Sequence, residues 1–594
     1  MLIISWNVAG LSPTLSKIYT DFSSGSDREK DTNGGPSSLK VKSEAPPSGS
    51  ERSRPFASYL NRLNADIFCI QESKINKTSL SSKSEPYGCA SVPGFESFWS
   101  CNVDRSGKGF NGVVTFVKKT VAVIAADSRP LGVKDLDDQG RCVMTDHGRF
   151  VIFNVYAPAS TSTNSLSSRM RFLNALRRAM KRQRKESSKG VILAGDLNIS
   201  HSGLDVFWKW RAADIEDIIS KLDLEASTPT QKYDETGHRE NWKIDVKKNW
   251  KSILSALKTK EIIERKTTNP STGEIRHKFR LQVTLSNGRK VLLGDPQSTA
   301  SDAFSRYDFS LASYFDEEKK ETIAPKSNVM SVGHLTELML KVAGIAWDAA
   351  TISCVANEFL SLRYLTPTLR WFNSIVNDDG MIDTFRHFYP SAEGRFTCWS
   401  QEKNNRFLNK GTRLDYILCD SSIKNYIEKG NSNLRCGGVK SANPWSARAA
   451  AIAATANGQF QEASLLGGGM PAASRTAIET QFGPDHTGIV YTPPTYSDHV
   501  AVSLLFKKEF RPASSDNISI SSKKDAQPHR SQPSISSFFS VDISGSSCNK
   551  SKKRSKSDKT NTFFKVPNLN TKEKGPSKGS IENFLLPKRQ KYQK

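Results

Sequence analysis

Short apolar runs of strand length recur along this chain, and the stretches between them are too polar or too rich in small residues to bury a core of their own. The runs fall at residues 2–6, 67–70, 112–117, 150–156, 190–194, 413–419 and 500–506. Helical patterning separates several of them. Tyr59, Leu60, Leu63 and Ile67 repeat at helical spacing, and residues 168–185 read as a very basic amphipathic helix. Strands alternating with helices predict an α/β core.

That core is interrupted. Residues 21–54 are rich in Ser, Gly, Pro and charge and read as a flexible loop. Across 210–368 the pattern loosens into a large insertion, with a Lys-rich helix at 250–265 and a hairpin about Ser286-Asn287-Gly288. An Ala/Gly-rich excursion occupies 440–483. The expected organisation is one domain over 1–506, broken by these three insertions, and a disordered basic tail over 507–594.

Composition narrows the partners. Lys and Arg number 85 against 60 Asp and Glu, a net charge of +25, which favours a polyanion, nucleic acid first. A membrane partner is not expected, because no run approaches the roughly 20 apolar residues that a spanning helix needs. Nine cysteines without a C-x-x-C pair argue against a disulfide framework or a zinc knuckle and for a reducing compartment, cytosol or nucleus.

Polar signatures sit where the apolar runs end, the place where α/β folds hold reacting groups. They are Ser5-Trp6-Asn7, Gln71-Glu72-Ser73, residues 154–158 with Tyr156, Gly195-Asp196-Leu197-Asn198, and the pair Arg413-Leu414-Asp415-Tyr416 with Ser497-Asp498-His499. Singly, each is what a turn or a helix cap uses. Jointly they supply the inventory of phosphodiester hydrolysis: hard oxygen ligands, a group to orient water, and donors for the phosphorane charge. Carboxylates and amides without thiols favour Mg²⁺, or Mn²⁺, over Zn²⁺, and Glu72 is the first metal ligand expected.

These signatures, in this order, resemble the exonuclease-endonuclease-phosphatase superfamily and, within it, abasic endonucleases of the exonuclease III type. The run 195–201, the run 384–390 and Leu414-Asp415-Tyr416 carry the resemblance to that branch, and Phe396-Thr397-Cys398-Trp399-Ser400 resembles its second abasic endonuclease subfamily. The resemblance implies a four-layered α/β-sandwich, two packed β-sheets flanked by helices. It also implies base-excision repair: cleavage 5′ to abasic sites in double-stranded DNA, with 3′–5′ exonuclease and 3′-phosphodiesterase action on damaged 3′ ends.

Carried onto matching positions, the resemblance makes Glu72 and Asn7 metal ligands, with Asp498 a second carboxylate. Asp196 orients or deprotonates the attacking water, the metal-bound water being the open alternative, and Asn198 holds water and phosphate in line. His499 faces the phosphate with Asp415 fixing its tautomer, and Tyr156 donates to a phosphate oxygen. Asp196, Asn198 and His499 also join the implied metal site. Ala9, Cys398 and Thr412 depart from the pattern, standing where the major abasic endonucleases carry Asp, Phe and Trp. A smaller pocket wall at Cys398 and Thr412 favours a frayed 3′ nucleotide over an extruded sugar. DNA contacts are expected from Arg169, Arg171 and Arg177 on the basic helix and from Cys398 and Trp399.

In the tail, Gln532, Ile535, Phe538 and Phe539 have the spacing of a sliding-clamp (PCNA) binding box, where a short 3₁₀ turn gathers the apolar side chains on one side. Residues 580–585 form a weaker copy. The basic clusters 552–556 and 588–591 suit nuclear import. With Cys548 alone after Cys436, the tail cannot build a zinc module. Two rivals stand beside the repair nuclease: another hydrolase of the superfamily, and a clamp-tethered DNA scaffold on a degenerate nuclease fold. No feature of the sequence sets the oligomeric state.

Overall fold

The computed structural model describes residues 1–26, 54–80, 88–103, 110–159, 165–225, 241–268, 273, 275–297, 314–316, 320–323, 328–400, 405–406, 409–430, 486–490, 492 and 495–510. The clamp-box residues Gln532, Ile535, Phe538 and Phe539, the basic clusters, the weaker box and the excursion 440–483 lie outside the described residues.

Two mixed sheets form the centre. The first contains β1 (Leu2–Asn7), β2 (Ile67–Gln71), β3 (Phe95–Ser100), β4 (Val113–Lys118), β18 (Ile427–Glu428) and β20 (Ala501–Phe506) in the order β18-β20-β1-β2-β4-β3, with β19 (Gly488–Val490) paired to β20. The second runs β16-β17-β8-β7-β6-β5, from β16 (Met381–Asp383) and β17 (Asp415–Asp420) through β8 (Gly190–Asp196), β7 (Phe150–Tyr156) and β6 (Cys142–Asp146) to β5 (Ala125–Asp127). Side chains alternate across each sheet with the period of two that a strand imposes. Ile3, Ile67 and Val117 from one sheet thus meet Ile152, Ile192 and Ile417 from the other in a shared core.

The outward faces are apolar too, and helices cover them. Leu2, Ile4, Phe68 and Phe116 pack with Leu15, Ile18 and Tyr59 of the helices Leu11–Ser26 and Arg54–Arg62. Val151, Phe153 and Leu193 pack with Phe172, Leu176 and Phe372 of the helices Ser165–Ser187 and Pro367–Asn377. Helix, sheet, sheet, helix is the expected four-layered sandwich. No described helix is long and apolar enough to cross a membrane.

Part of the interrupting sequence has structure of its own. The stretch 21–54 is not loop at its ends, since one helix continues to Ser26 and another starts at Arg54. Within 210–368, β9 (Ala212–Asp214) pairs with β15 (Val329–Ser331), and β10 (Glu261–Thr268), β11 (Ile275–Thr284) and β12 (Lys290–Gln297) form an antiparallel sheet. A small pair, β13 (Tyr314–Asp316) and β14 (Glu321–Ile323), completes the set. Trp242, Val246, Leu281, Leu293, Leu335 and Phe359 share a separate apolar core. The Lys-rich helix expected at 250–265 is Asn241–Lys258, and the chain after it is strand. Ile262 and Ile263 prolong the helical spacing, but Thr259 ends the helix by bonding back to the Ala256 carbonyl (2.7 Å) and accepting from the Thr284 N–H (2.7 Å).

The insertion is fastened to the sandwich through two arginines, Arg211 buried and Arg363 half-buried. Arg211 donates to the carbonyls of Gly203 (3.2 Å) and Ala356 (2.9 Å) and pairs with Glu393. Arg363 donates to the carbonyls of Ser200 (2.6 Å) and His201.

Candidate active site

Strand register brings the polar signatures to one end of the sandwich. Parallel pairing sets Asn7 beside Gln71 and Tyr156 beside Asp196, while the antiparallel β17 sets Asp415 opposite Asp196. β20 runs antiparallel to β1, so Asp498 and His499, which precede it, come to the same end.

Local backbone geometry aims the side chains. Glu72 and Asn198 adopt left-handed conformations, with φ of 52° and 55°. Such conformations cost about 1–3 kcal/mol each in non-glycine residues and concentrate where function requires a fixed direction. Gly195 is obligatory, because a Cβ there would stand 1.9 Å from the Val155 carbonyl oxygen. Asp196 accepts the Asn198 N–H (2.8 Å), and the Asn198 amide donates to Ala157 O (3.0 Å) and Asp196 Oδ2 (3.3 Å).

At the centre, Asn7 Nδ2 donates to both Glu72 Oε1 (3.0 Å) and Asp196 Oδ2 (2.9 Å), so two carboxylates converge on one amide. Asn7 turns its nitrogen, not its oxygen, toward them, and its Oδ1 accepts from the Ala9 N–H (2.9 Å). In this arrangement Asn7 bridges the two carboxylates. Lys74 Nζ caps the other Glu72 oxygen at 2.9 Å and donates to Ala9 O at 2.7 Å. Burial would raise the Glu72 carboxyl, but Lys74, Asn7 and His499 outweigh it and hold it below its usual range.

Beside that pair, His499 Nδ1 lies 2.8 Å from Asp415 Oδ2, the tautomer-fixing contact expected. Burial opposes charge on His499, yet Asp415 and Cys398 prevail and hold it protonated well above the ordinary histidine range. Burial, and then the neighbouring Asp415, push the Asp196 carboxyl up to about 7. Tyr156 is half-buried under the Arg141 guanidinium, 4.9 Å from the ring centre, and burial with Glu72 and Asp196 keeps its hydroxyl protonated. Asp498 is half-buried, with Oδ1 3.4 Å from Ser497 Oγ.

A divalent cation fits this donor set. Ligand atoms of Asp196, Asp415 and His499 lie within 4.8 Å of one another, and Asp415 Oδ1 is buried with no hydrogen-bond partner. Glu72 Oε1 and Asp196 Oδ2 converge on the same Asn7 amide beside this group, and carboxylate oxygens, being hard, suit a hard cation.

Three of the arginines expected to grip DNA have other duties. Arg169 is buried and donates to the Asn198 carbonyl at 2.6 Å, bracing the site loop from behind. Arg177 forks onto Asp379 (2.7 and 2.8 Å), tying two helices together, and Arg171 pairs with Asp135. Trp399 is likewise core, its Nε1 directed at Asn409 Oδ1 (3.3 Å), whereas Cys398 is half-buried beside His499.

Sequence reasoning missed Lys74, Arg141 and the bracing role of Arg413. Lys74 follows Glu72 by two residues and was open to notice; Arg141 has no motif around it. Arg413 is buried between Asp205 (2.8 and 3.0 Å) and Asp383 (2.5 and 3.1 Å), and Tyr416 donates to the Ile199 carbonyl at 2.7 Å. The Arg-Leu-Asp-Tyr signature therefore locks the loop 199–205 with two residues and presents Asp415 to the site with a third.

Residues 4–246 match the model of the endonuclease/exonuclease/phosphatase family. DNA-(apurinic or apyrimidinic site) endonuclease 2 of Schizosaccharomyces pombe is 31% identical over 196 residues, 28% of this chain and 35% of the relative. An exodeoxyribonuclease of Bacillus subtilis is 29% identical over 156 residues, 26% of this chain and 56% of the relative. The chain thus spans about a third of the first relative's length and just over half of the second's. Among solved structures, the Xenopus laevis APE2 catalytic domain aligns with a TM-score of 0.35 at 18% identity, covering 72% of this chain and 85% of that one.

Proposed function

Because residues 4–246 match the model of the endonuclease/exonuclease/phosphatase family, we propose that the chain is a DNA-repair nuclease. It hydrolyses the phosphodiester 5′ to abasic sites and cleans 3′ ends by 3′–5′ exonuclease and 3′-phosphodiesterase action. The observation that carries this reading is the convergence of Glu72 and Asp196 on Asn7 Nδ2, with the His499–Asp415 pair alongside.

Mg²⁺ is the proposed cofactor, with Mn²⁺ able to replace it; Glu72 and Asp196 would hold it, with Asp498 the further carboxylate at that end, and it would supply positive charge to the phosphate oxygens. Asp196 accepts or directs the proton of the attacking water, and Asn198 keeps that water in line. Such positioning is worth about 7–11 kcal/mol in the best intramolecular cases. Protonated His499, steadied by Asp415, and the Tyr156 hydroxyl donate to the oxygens where charge develops.

The test compares wild type with Asp196→Asn and Glu72→Ala on two duplexes, one with an internal abasic site and one with a recessed 3′ mismatch, with Mg²⁺ and with chelator. Metal-dependent cutting that both substitutions abolish is the expected result, with the mismatch processed faster. A wild type that binds both duplexes and cuts neither would replace this reading with the scaffold.

Nuclear location and a clamp tether complete the proposal, supported by the basic clusters and by the spacing of Gln532, Ile535, Phe538 and Phe539. Phe538→Ala with Phe539→Ala should abolish binding to purified sliding clamp, and retained binding would remove the tether.

A further inference from the structure

We propose that the two-stranded arm formed by the outer ends of β10 and β11 enters the major groove of the duplex that flanks the cleaved phosphate; this rests on the DNA-nuclease reading above. The arm is defined by register. β10 pairs with β11 from Glu261 opposite Gln282 to Thr268 opposite Ile275, whereas β12 pairs with β11 at Phe279 and from Leu281 to Thr284. Residues 265–268 and 275–278 consequently form a ribbon with no third strand beside it.

Among the described residues, the apolar core of the insertion includes none of this ribbon. Arg265, Lys266, Thr267 and Thr268 are all exposed, as are His277 and Ile275, the last at 57%. A lone two-stranded ribbon is marginal in water, and like charges directly opposite each other weaken it further. Here Arg265 stands opposite Lys278. This arrangement works against the ribbon's own stability, and a polyanion between and beside the cations would reverse the penalty.

Charge and shape agree on the occupant. Residues 241–297 contain thirteen Lys and Arg against five Asp and Glu, which is +8 of the chain's +25. Strands about 4.8 Å apart with their side chains fill a groove about 12 Å wide, and the major groove of B-DNA, of that width, admits a two-stranded ribbon. The arm's base is rigid. Leu281, Val283 and Leu293 root the sheet in the insertion core, and Arg211 and Arg363 bolt that core to the loop 200–203 that follows Asn198.

The experiment uses the full chain and a 40-base-pair duplex with one abasic-site analogue. Wild type is compared with the triple variant Arg265→Gln, Lys266→Gln, Lys278→Gln and with the charge-keeping Arg265→Lys, Lys278→Arg. Affinity is read by fluorescence anisotropy against salt, and groove occupancy by dimethyl sulfate methylation of guanine N7. Each phosphate contact contributes about 0.9 to the slope of log K against log salt. The triple variant should lower that slope by about 2–3 and expose guanines that wild type protects on one side of the abasic site, while the charge-keeping variant matches wild type. Equal slopes for wild type and triple variant would overturn the arm, and so would a lowered slope with no N7 protection by wild type. Cleavage of the same duplex is scored separately. Protection that depends on the arm in a protein that never cuts would sink the nuclease reading and leave the arm standing.

Discussion

The sandwich and the insertion solve different problems with the same polypeptide. Around the site, the sandwich buries charge: Arg413 with Asp205 and Asp383, His499 with Asp415, Arg169 behind Asn198. Its backbone there holds non-glycine residues in left-handed conformations. The insertion buries Trp242, Leu281, Phe359 and their neighbours around an apolar core, keeps buried charge such as Arg211 where it meets the sandwich, and exposes the cations of its arm. Buried ion pairs add little net stability compared with apolar packing, but they fix direction, and losing one partner is costly. Reaction chemistry needs direction, whereas holding a long polyanion needs reach and many weak contacts. The two regions are built accordingly.

Substitutions should separate these roles, and the largest effect belongs to the site. Asp196→Asn should lower the rate on an abasic duplex by about 10³-fold, within the range for general acid–base groups. Steady-state cleavage reads it, and a loss under tenfold would assign the proton to another group. Next come the braces of each region. Arg413→Ala takes the guanidinium from buried Asp383 and leaves Asp205 with Arg386 alone, so burial would raise Asp205 from far below its usual range. About 3–5 kcal/mol of stability should be lost. Phe359→Ala empties the insertion core for a similar 3–5 kcal/mol. Hydrogen exchange distinguishes them: the first should loosen β8 and β17, the second β11 and β12. If both variants loosened all four strands equally, the two regions would be one cooperative unit.

Acid offers a finer comparison, because each region contains a histidine that burial keeps neutral. Burial lowers His147, in the sandwich, to about 4 and His334, in the insertion, to about 3. Both folded values lie below the unfolded 6.5, so the unfolded chain takes up protons first as pH falls. Stability is full above about pH 6.5 and declines below it, by about 2 kcal/mol per histidine at pH 5. His147→Gln should flatten the pH dependence of exchange in β6 and β7, and His334→Gln that of β12. An unchanged profile would mean that neither histidine is buried neutral. The smallest effect is expected at Arg171→Ala, where the pair with Asp135 lies in solvent. Its melting temperature should match wild type, and a clear drop would show that the helix face depends on that pair.

Much of this was legible in the sequence, for reasons that also mark where reading stops. β7 was read to its exact ends because seven consecutive apolar or aromatic positions, broken only by Asn154, leave no other solution. β3 and β6 went unread: Glu96 and Asp146 break their apolar pattern, and short strands within a covered sheet need little of it. Insertion order was hidden because its apolar residues are spread singly among lysines, and partners such as Trp242 and Phe359 lie far apart in sequence. At the site, residue type and position at a strand end were enough to gather Asn7, Glu72, Asp196, Asp415 and His499. Direction was not. Arg169, Arg171 and Arg177 share one basic helix, yet one points inward, one bridges helices and one stays in solvent. Only the packing of neighbouring layers decides which.

The central claim is that the end of the sandwich holding Glu72, Asp196 and His499 hydrolyses DNA phosphodiesters with a divalent metal. Its most direct test is the chemistry of the ends left when the full chain meets a duplex bearing one abasic site in Mg²⁺, read by mass spectrometry. The account predicts a 3′-hydroxyl on one fragment and a 5′ sugar phosphate on the other, both absent with chelator and with Asp196→Asn. An intact duplex, or a 3′ unsaturated aldehyde left by elimination instead of hydrolysis, would contradict it.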